Sequence, residues 1–313
     1  MLCIYVDDGI VAGPSESQVK KLLSALQGTF EITFNPLNFF LGLQVKVTTD
    51  KGISVNQTKY TEEILQRFQM ADCKPAPTPM EADSDPPEQD QIRTDLPFRE
   101  IVGALMYLAI CTRYDIAFSV GYLSRFLDKP TTGLWKKAMR ILRYLRGTTD
   151  FSLEYAAQNR GELICFSDAD YAGDTSTRRS TTGQLLKFNG GVVSWASSRQ
   201  HSVALSTTEA EFIAAAETAK SALWTARLLG ELGYRVIPKL KIDNQSAIKL
   251  IQDPQYHKRT KHIDVRYHFI REKHERGDIQ VEYVPTDHQE ADLLTKPLNK
   301  TTFANIKSLV RCT

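Results

Sequence analysis

The five cysteines, Cys3, Cys73, Cys111, Cys165 and Cys312, form no CxxC pair and share no regular spacing. That excludes a disulfide framework and a thiolate zinc site, and the cysteines read as reduced thiols of an intracellular protein. No stretch is long and apolar enough for a membrane helix. The opening MLCIYVDDGIVAG has an apolar run but no basic region ahead of it, and Asp7 and Asp8 interrupt it, which argues against a signal peptide. Neither sign of charge dominates. The net charge is +2, so an anionic partner must be met by local clusters rather than by the field of the whole chain. What remains is the make-up of an ordinary globular protein, 42% apolar and 24% charged, and 313 residues suffice for two domains. The chain opens inside what reads as a strand hairpin, so it is expected to be part of something longer.

The pattern changes three times along the chain. In residues 1–79, LCIYV and GIVAG flank Asp7-Asp8 as two strands around a turn. A helix follows, with Val19, Leu22, Leu23 and Leu26 on one stripe and Ser15 or Ser17 as cap. Two strands joined by Asp50-Lys51-Gly52 and the helix TKYTEEILQRFQM complete the segment. Residues 80–97 are acidic, rich in proline and poor in apolar side chains, which predicts an extended linker. Residues 98–150 are helical: FREIVGALMYLAI, then a helix that Asp115 can cap, then one with Trp135, Met139 and Leu142 on one face. Lys136, Arg140 and Arg143 make a basic stripe on that third helix, either a solvated face or a nucleic-acid contact. From Gly161 to Leu298 the order is three strands, a long helix, strand, helix, helix, strand and the start of a last helix. That order argues a mixed α/β sheet with helices packed on its faces. Residues 299–313 are expected to be a C-terminal tail.

Four carboxylates stand where apolar patterns break off at element ends. Asp168 closes the first strand of this half, and Glu211 lies in the first turn or two of the long helix. Asp243 ends the strand KLKID, and Asp292 begins the last helix. Taken singly each is a cap or a surface group, and Asp292 would suit a helix macrodipole. Gathered at one end of a sheet they would repel one another unless a cation neutralised them. Hard oxygen donors select Mg²⁺ or Mn²⁺, and two such ions roughly 4 Å apart can activate a water and stabilise the leaving oxygen in phosphodiester cleavage. Two positions stay open by pattern alone. Asp168 and Asp170 share one side of a strand, and Glu209 and Glu211 flank the apolar stripe equally.

FSDADYAGD, RRSTTG, SWASSRQ, ALSTTEAEF, DNQSAI, RTKHIDVRYHFIRE and YVPTDHQEADLLTK, in that order, resemble the ribonuclease H domain of copia-type retrotransposon polyproteins. The resemblance implies the ribonuclease H fold and its Asp-Glu-Asp-Asp site on Asp168, Glu211, Asp243 and Asp292, holding two Mg²⁺ or Mn²⁺ ions, with Asp170 beside it. It also implies hydrolysis of the RNA strand of an RNA–DNA hybrid, leaving 3′-hydroxyl and 5′-phosphate ends. His288, on the loop before Asp292, could stand for the helper histidine of cellular ribonucleases H, although that loop is shorter here. Lys258, Arg259, Lys261, Arg266 and Arg271 accompany the histidines of a basic helix and are the candidate contacts to the nucleic-acid backbone.

In the first segment YVDD, Tyr5–Asp8, resembles the palm hairpin of reverse transcriptases. LGLQV, YTEEIL, KPAPTPM, FREIVGALMYLAICTRYDIAFSVGYLSRF and WKKAMRILRYLRGT extend the resemblance to copia-type polyproteins over nearly the whole chain. Such a polymerase needs another metal-binding aspartate on an earlier strand. Asp7 and Asp8 therefore read as a remnant, without polymerase activity in this chain. The expected fold is α/β: a ribonuclease H-like mixed sheet with flanking helices, preceded by a partial reverse-transcriptase palm and thumb and a helical connection. The expected partners are an RNA–DNA hybrid and the remainder of the polyprotein, with no membrane. The expected location is the cytoplasm, with a virus-like particle or the nucleus as alternatives.

Overall fold

Alternation along three strands builds the central sheet. In β7 (Leu163–Asp170) Leu163 and Cys165 face one side, and Ile164 and Phe166 the other. In β8 (Thr181–Phe188) Leu186 and Leu185 divide in the same way. A sheet apolar on both faces must be covered on both. The structure, a computed structural model, describes residues 1–48, 52–81, 90–157, 161–253 and 264–311. Asp50 and Lys51 of the expected turn lie outside the described residues.

The sheet has five strands in the order β11-β10-β7-β8-β9, adding β9 (Gly191–Arg199), β10 (Lys239–Ile242) and β11 (Gln280–Tyr283). β10 runs parallel to both β7 and β11, and β8 runs antiparallel to β7 and β9. This is the mixed, ribonuclease H-like sheet expected. The β8–β9 turn is built by Asn189 and Gly190, both in the left-handed region at φ 50° and 86°, which suits a two-residue hairpin. On one face lie α6 (Thr207–Glu231), α7 (Gln245–Gln252) and α8 (Asp264–Glu275), around Phe212, Ala219, Ile251 and Ile270. The other face meets α3 (Phe98–Cys111), α4 (Ala117–Ser124), α5 (Thr132–Arg146) and α9 (Lys300–Arg311).

Several local expectations are revised. Residues 300–311 are a helix whose Phe303, Ile306 and Val310 are buried, where a tail was expected. Asp115 does not cap α4: it is buried, its carboxylate held by Arg113 at 2.9 Å through two nitrogens and by the Tyr144 hydroxyl at 2.6 Å. On α5 the buried face is Leu134, Ala138, Ile141 and Leu145, with Trp135 and Met139 at its margin. Its basic stripe docks the end of the first segment and the start of the acidic stretch. Arg143 donates to the Lys74 carbonyl, and Arg140 pairs with Glu81 at 2.5 Å and donates to Thr78.

The first segment holds the hairpin of β1 (Leu2–Tyr5) and β2 (Asp8–Val11), and then α1 (Glu16–Gln27), capped by Ser15. No residue of α1 is buried, and Ile4 is 71% exposed. Next come β3 (Phe39–Phe40), β4 (Leu43–Val47), β5 (Ile53–Asn56) and α2 (Thr58–Arg67). β5 pairs with β6 (Ser152–Tyr155), a strand without strong alternation that the sequence pattern left unassigned. Among the described residues no helix is long and apolar enough to cross a membrane.

Candidate metal centre

Parallel pairing places the first two carboxylates. Phe166 of β7 is in register with Lys241 of β10, so two residues on Asp168 comes level with Asp243, one strand spacing away, about 4.8 Å. Glu211 arrives from the second turn of α6. That helix starts at Ser206, whose hydroxyl accepts from the Glu209 N–H, while the Glu209 carboxylate turns back to the Leu205 N–H at 2.9 Å. Glu209 is thus consumed by the cap and Glu211 is left to face the sheet. Carboxylate oxygens of Asp168, Glu211 and Asp243 all lie within 4.8 Å of one another. Asp170, the alternative to Asp168, folds back over Gly173, against the position a β-carbon would take there.

Asp292 comes from a 3₁₀ turn, Glu290–Leu294, rather than from the start of an α-helix. Four contacts fix that turn. Gln289 donates to the Ser167 carbonyl at 2.9 Å, and Lys187 of β8 reaches Glu290 at 3.1 Å in a buried ion pair. The Thr295 hydroxyl donates to Asp168 at 2.5 Å. Gly183 lets the turn lie flat on β8, since a β-carbon there would stand 2.7 Å from the Ala291 carbonyl. Asp292 is thereby held near enough to Asp168 to feel its charge, and it receives the Lys296 ammonium at 3.0 Å.

These carboxyls resist ionising together. Burial, then the charges of Asp168 and Asp243, push Glu211 up to about 10. Burial and Asp168 raise Asp292 to about 7 against the pull of Lys296. Asp243 and Asp170 are raised by the same two causes, burial first. Glu211 Oε2 is buried without a hydrogen-bond partner. A buried, unpartnered carboxylate oxygen beside two further carboxylates fits a divalent cation of the hard class.

A family profile described as reverse transcriptase (RNA-dependent DNA polymerase) matches residues 1–82. The retrovirus-related Pol polyprotein from transposon TNT 1-94 of Nicotiana tabacum is 40% identical over 99% of this chain and 24% of its own length. A putative transposon Ty5-1 protein of Saccharomyces cerevisiae is 30% identical over 69% of this chain and 72% of its own length. The chain belongs to the Pol polyproteins of copia-type retrotransposons. This Pol segment spans 21–24% of the length of the Pol polyproteins it matches in tobacco and Arabidopsis thaliana. The foamy viral protease–reverse transcriptase, solved in complex with an RNA/DNA hybrid, shares its fold over 91% of this chain and 36% of that one, with a TM-score of 0.50 and 16% identity. The Pol segment accordingly begins in a reverse-transcriptase region, and its five-stranded sheet is ribonuclease H-like in fold.

Other expected site residues of the Pol segment are not at the carboxylates. Asp7 and Asp8 are exposed on the β1–β2 hairpin, where Val6 and Asp7 make the turn. His288 is exposed and bonded to its neighbour Asp287 at 2.9 Å. Lys258, Arg259 and Lys261 lie outside the described residues, as does the side chain of Arg266. Arg271 is a correction: it is buried, and its guanidinium donates to the carbonyls of Leu250 and Asp253 at the end of α7, so it does not face a nucleic acid.

The structure supplies arginines that the sequence pattern did not single out. Arg125 of α4, Arg179 and Arg199 line a groove of about 530 Å³ with Trp195 and Gln200. Asp174 bridges Arg125 at 3.4 Å and Arg199 at 2.7 Å, which leaves Arg179 as the one of the three without an ion pair among the described residues. Thr181, opposite Asp170 on one side and Arg199 on the other, joins the groove to the edge of the carboxylate cluster. The signal was present in RRSTTG and SWASSRQ, which supply Arg179 and Arg199.

Proposed function

We propose that this Pol segment is a metal-dependent endoribonuclease that hydrolyses the RNA strand of RNA–DNA hybrids. The observation that carries the reading is the convergence of Asp168, Glu211 and Asp243 within 4.8 Å, with Asp292 beside them within reach of the Asp168 charge. Mg²⁺ or Mn²⁺ ions bound there would activate a water and neutralise the leaving oxygen. The protein's part is to hold the donors. Asp168 is oriented by Thr295, Asp243 accepts from the Thr286 hydroxyl at 3.0 Å, and Asp292 is held by Lys296. The arginine groove suits phosphates of the backbone through charge-assisted hydrogen bonds. Preference for RNA would come from 2′-hydroxyl contacts across the minor groove. The remainder of the Pol polyprotein is the proposed protein partner.

The test is cleavage of a labelled RNA–DNA hybrid in Mg²⁺, with 3′-hydroxyl and 5′-phosphate ends on the products. Asp243→Asn should abolish cleavage and leave the circular dichroism unchanged. Hybrid binding without cleavage by folded wild-type protein, in Mg²⁺ and in Mn²⁺, would instead describe a non-catalytic binding relic.

A further inference from the structure

The carboxylate cluster is divided into two unlike halves. In one half Asp168, Glu211 and Asp243 converge, and a buried Glu211 oxygen lacks any partner. Among the described residues no cationic side chain is bonded to that oxygen. In the other half Asp168 and Asp292 are neighbours, tied by the adjacent Thr295 and Lys296, and a cation is already present: the Lys296 ammonium, 3.0 Å from Asp292 and within electrostatic reach of Asp168, Asp170 and Asp243. Its side chain is only 36% exposed. Backbone geometry fixes this placement. Thr295 and Lys296 are adjacent at the end of the 3₁₀ turn, and one bonds Asp168 while the other bonds Asp292. The two residues therefore grip the two carboxylates as a unit.

A lysine in that position has a consequence for cations. A carboxylate oxygen paired with an ammonium is not free for a second positive charge, and like charges in a half-buried site repel. Resting on the metal-dependent reading above, we propose that Lys296 is a positioning residue that serves as an internal counter-cation for Asp292. It holds the Asp292 half of the cluster together in the metal-free protein and must leave Asp292 before a divalent cation can bind there. Binding is then stepwise. The first ion enters at Asp168, Glu211 and Asp243, none of which is ion-paired to the lysine, so the lysine opposes it only at a distance. The second enters at the Asp168–Asp292 half against it, so the second constant is the weaker one. Although the Asp292 carboxylate is buried, the Lys296 side chain is about one-third exposed and can swing its ammonium to solvent, an exchange closed to a fully buried pair.

The experiment is a Mn²⁺ titration of the whole chain without nucleic acid, counting bound ions by electron paramagnetic resonance of the free Mn²⁺. The wild type should show one tight and one weak ion. Lys296→Met should leave the first constant within about twofold and tighten the second by about tenfold or more, a change of about 1.4 kcal/mol. Lys296→Arg keeps a positive charge at the site and should keep the second ion weak. It also serves as the folded reference should Lys296→Met lose structure, because Arg and Met variants that differ in the second constant still report the charge. Asp292→Asn should remove the second ion and spare the first. A second constant equal in wild type, Lys296→Met and Lys296→Arg overturns the inference while leaving the metal centre standing. Absence of Mn²⁺ binding in wild type overturns the metal-dependent reading, and this inference with it.

Discussion

Glu211 shows how a single residue links the site to the stability of the fold. An unfolded glutamate gives up its proton near its ordinary 4.5, but the folded one holds it to about 10, because of burial and the charges of Asp168 and Asp243. Asp292 behaves alike up to about 7. Between those limits the folded state binds more protons than the unfolded one, so stability falls as pH rises. In EDTA the melting temperature should therefore drop from about pH 5 to about pH 8, and saturating Mg²⁺ should remove most of the drop, since a cation does the work of the proton. Glu211→Gln should flatten the EDTA profile and raise its alkaline end. An unchanged slope in that variant would show that the cluster is not its source. The carboxylates were legible in part: Asp243 and Asp292 interrupt apolar patterns at element ends, whereas pattern alone left Asp168 beside Asp170 and Glu211 beside Glu209, and only the family resemblance chose between them. Lys296 was not legible, because a lysine normally signals solvent. Its value comes from a turn whose shape spacing does not reveal. Arg271 was misread for the converse reason: a basic helix looks like a phosphate-binding face until one guanidinium is found capping the carbonyls of a neighbouring helix.

At the scale of elements, the turn that carries Asp292 depends on a strand residue with no side chain. A β-carbon at Gly183 would meet Thr295 Cγ2 at 2.6 Å and the Ala291 carbonyl at 2.7 Å, and neither can retreat without moving the turn. Gly183→Ala should cost about 1–3 kcal/mol by overpacking and reduce cleavage by about 10- to 100-fold through displacement of Asp292. Thermal unfolding and cleavage rates read the two effects separately. Gly230→Ala is the control. A β-carbon there meets nothing within 4 Å, in the last turn of α6, so about 0.5–1 kcal/mol should be gained with cleavage unaltered. The β7–β8 loop makes a different contribution. Arg178 takes a left-handed backbone, φ 54°, and Arg179 follows it into the groove. Arg179→Ala should weaken hybrid binding, measured in EDTA by fluorescence anisotropy, and lower its salt slope by about one. Binding and slope equal to wild type would leave the groove without a backbone contact. Strands β7–β9 and helix α6 were readable from period and turn chemistry. The 3₁₀ turn was not, because EADLL has helical periodicity and only the packing against Gly183 reveals the tighter winding. β6 escaped notice because it is a short edge strand recognisable only by its partner β5.

For the whole molecule, the two faces of the five-stranded sheet differ in origin. One is covered by α6, α7 and α8, from the same half of the chain. The other packs against α3, α4 and α5, from residues 98–146, and against the C-terminal α9. Phe166, Leu185 and Val192 share one core with Ile101, Leu105, Leu108, Ile141 and Leu145. Each such side chain, fully buried, contributes roughly 1.5–3 kcal/mol. A buried polar network adds to the seam: Arg113 and Tyr144 hold Asp115, and Lys307 of α9 donates to the Tyr144 hydroxyl at 2.8 Å. Composition marks the acidic stretch as a break in the chain, but it cannot show that the helical segment and the sheet bury their apolar faces in each other. From this shared core we expect residues 98–311 to unfold as one cooperative unit. A piece cut to residues 161–298 would expose the Phe166, Leu185, Val192 and Trp195 face and lack α9, so it should be insoluble or lack a cooperative transition. The first segment should behave differently. Its hairpin is largely exposed and α1 buries nothing, so residues 2–27 should exchange amide hydrogens nearly unprotected. Urea unfolding can decide. Tryptophan fluorescence samples α5 through Trp135, β9 through Trp195 and α6 through Trp224. Fluorescence and far-ultraviolet circular dichroism should give one coincident main transition, preceded at most by a small loss of helical signal from α1. Two separated fluorescence transitions, or a 161–298 piece that melts cooperatively by itself, would mean that the helical segment and the sheet are independent units, joined only by the chain.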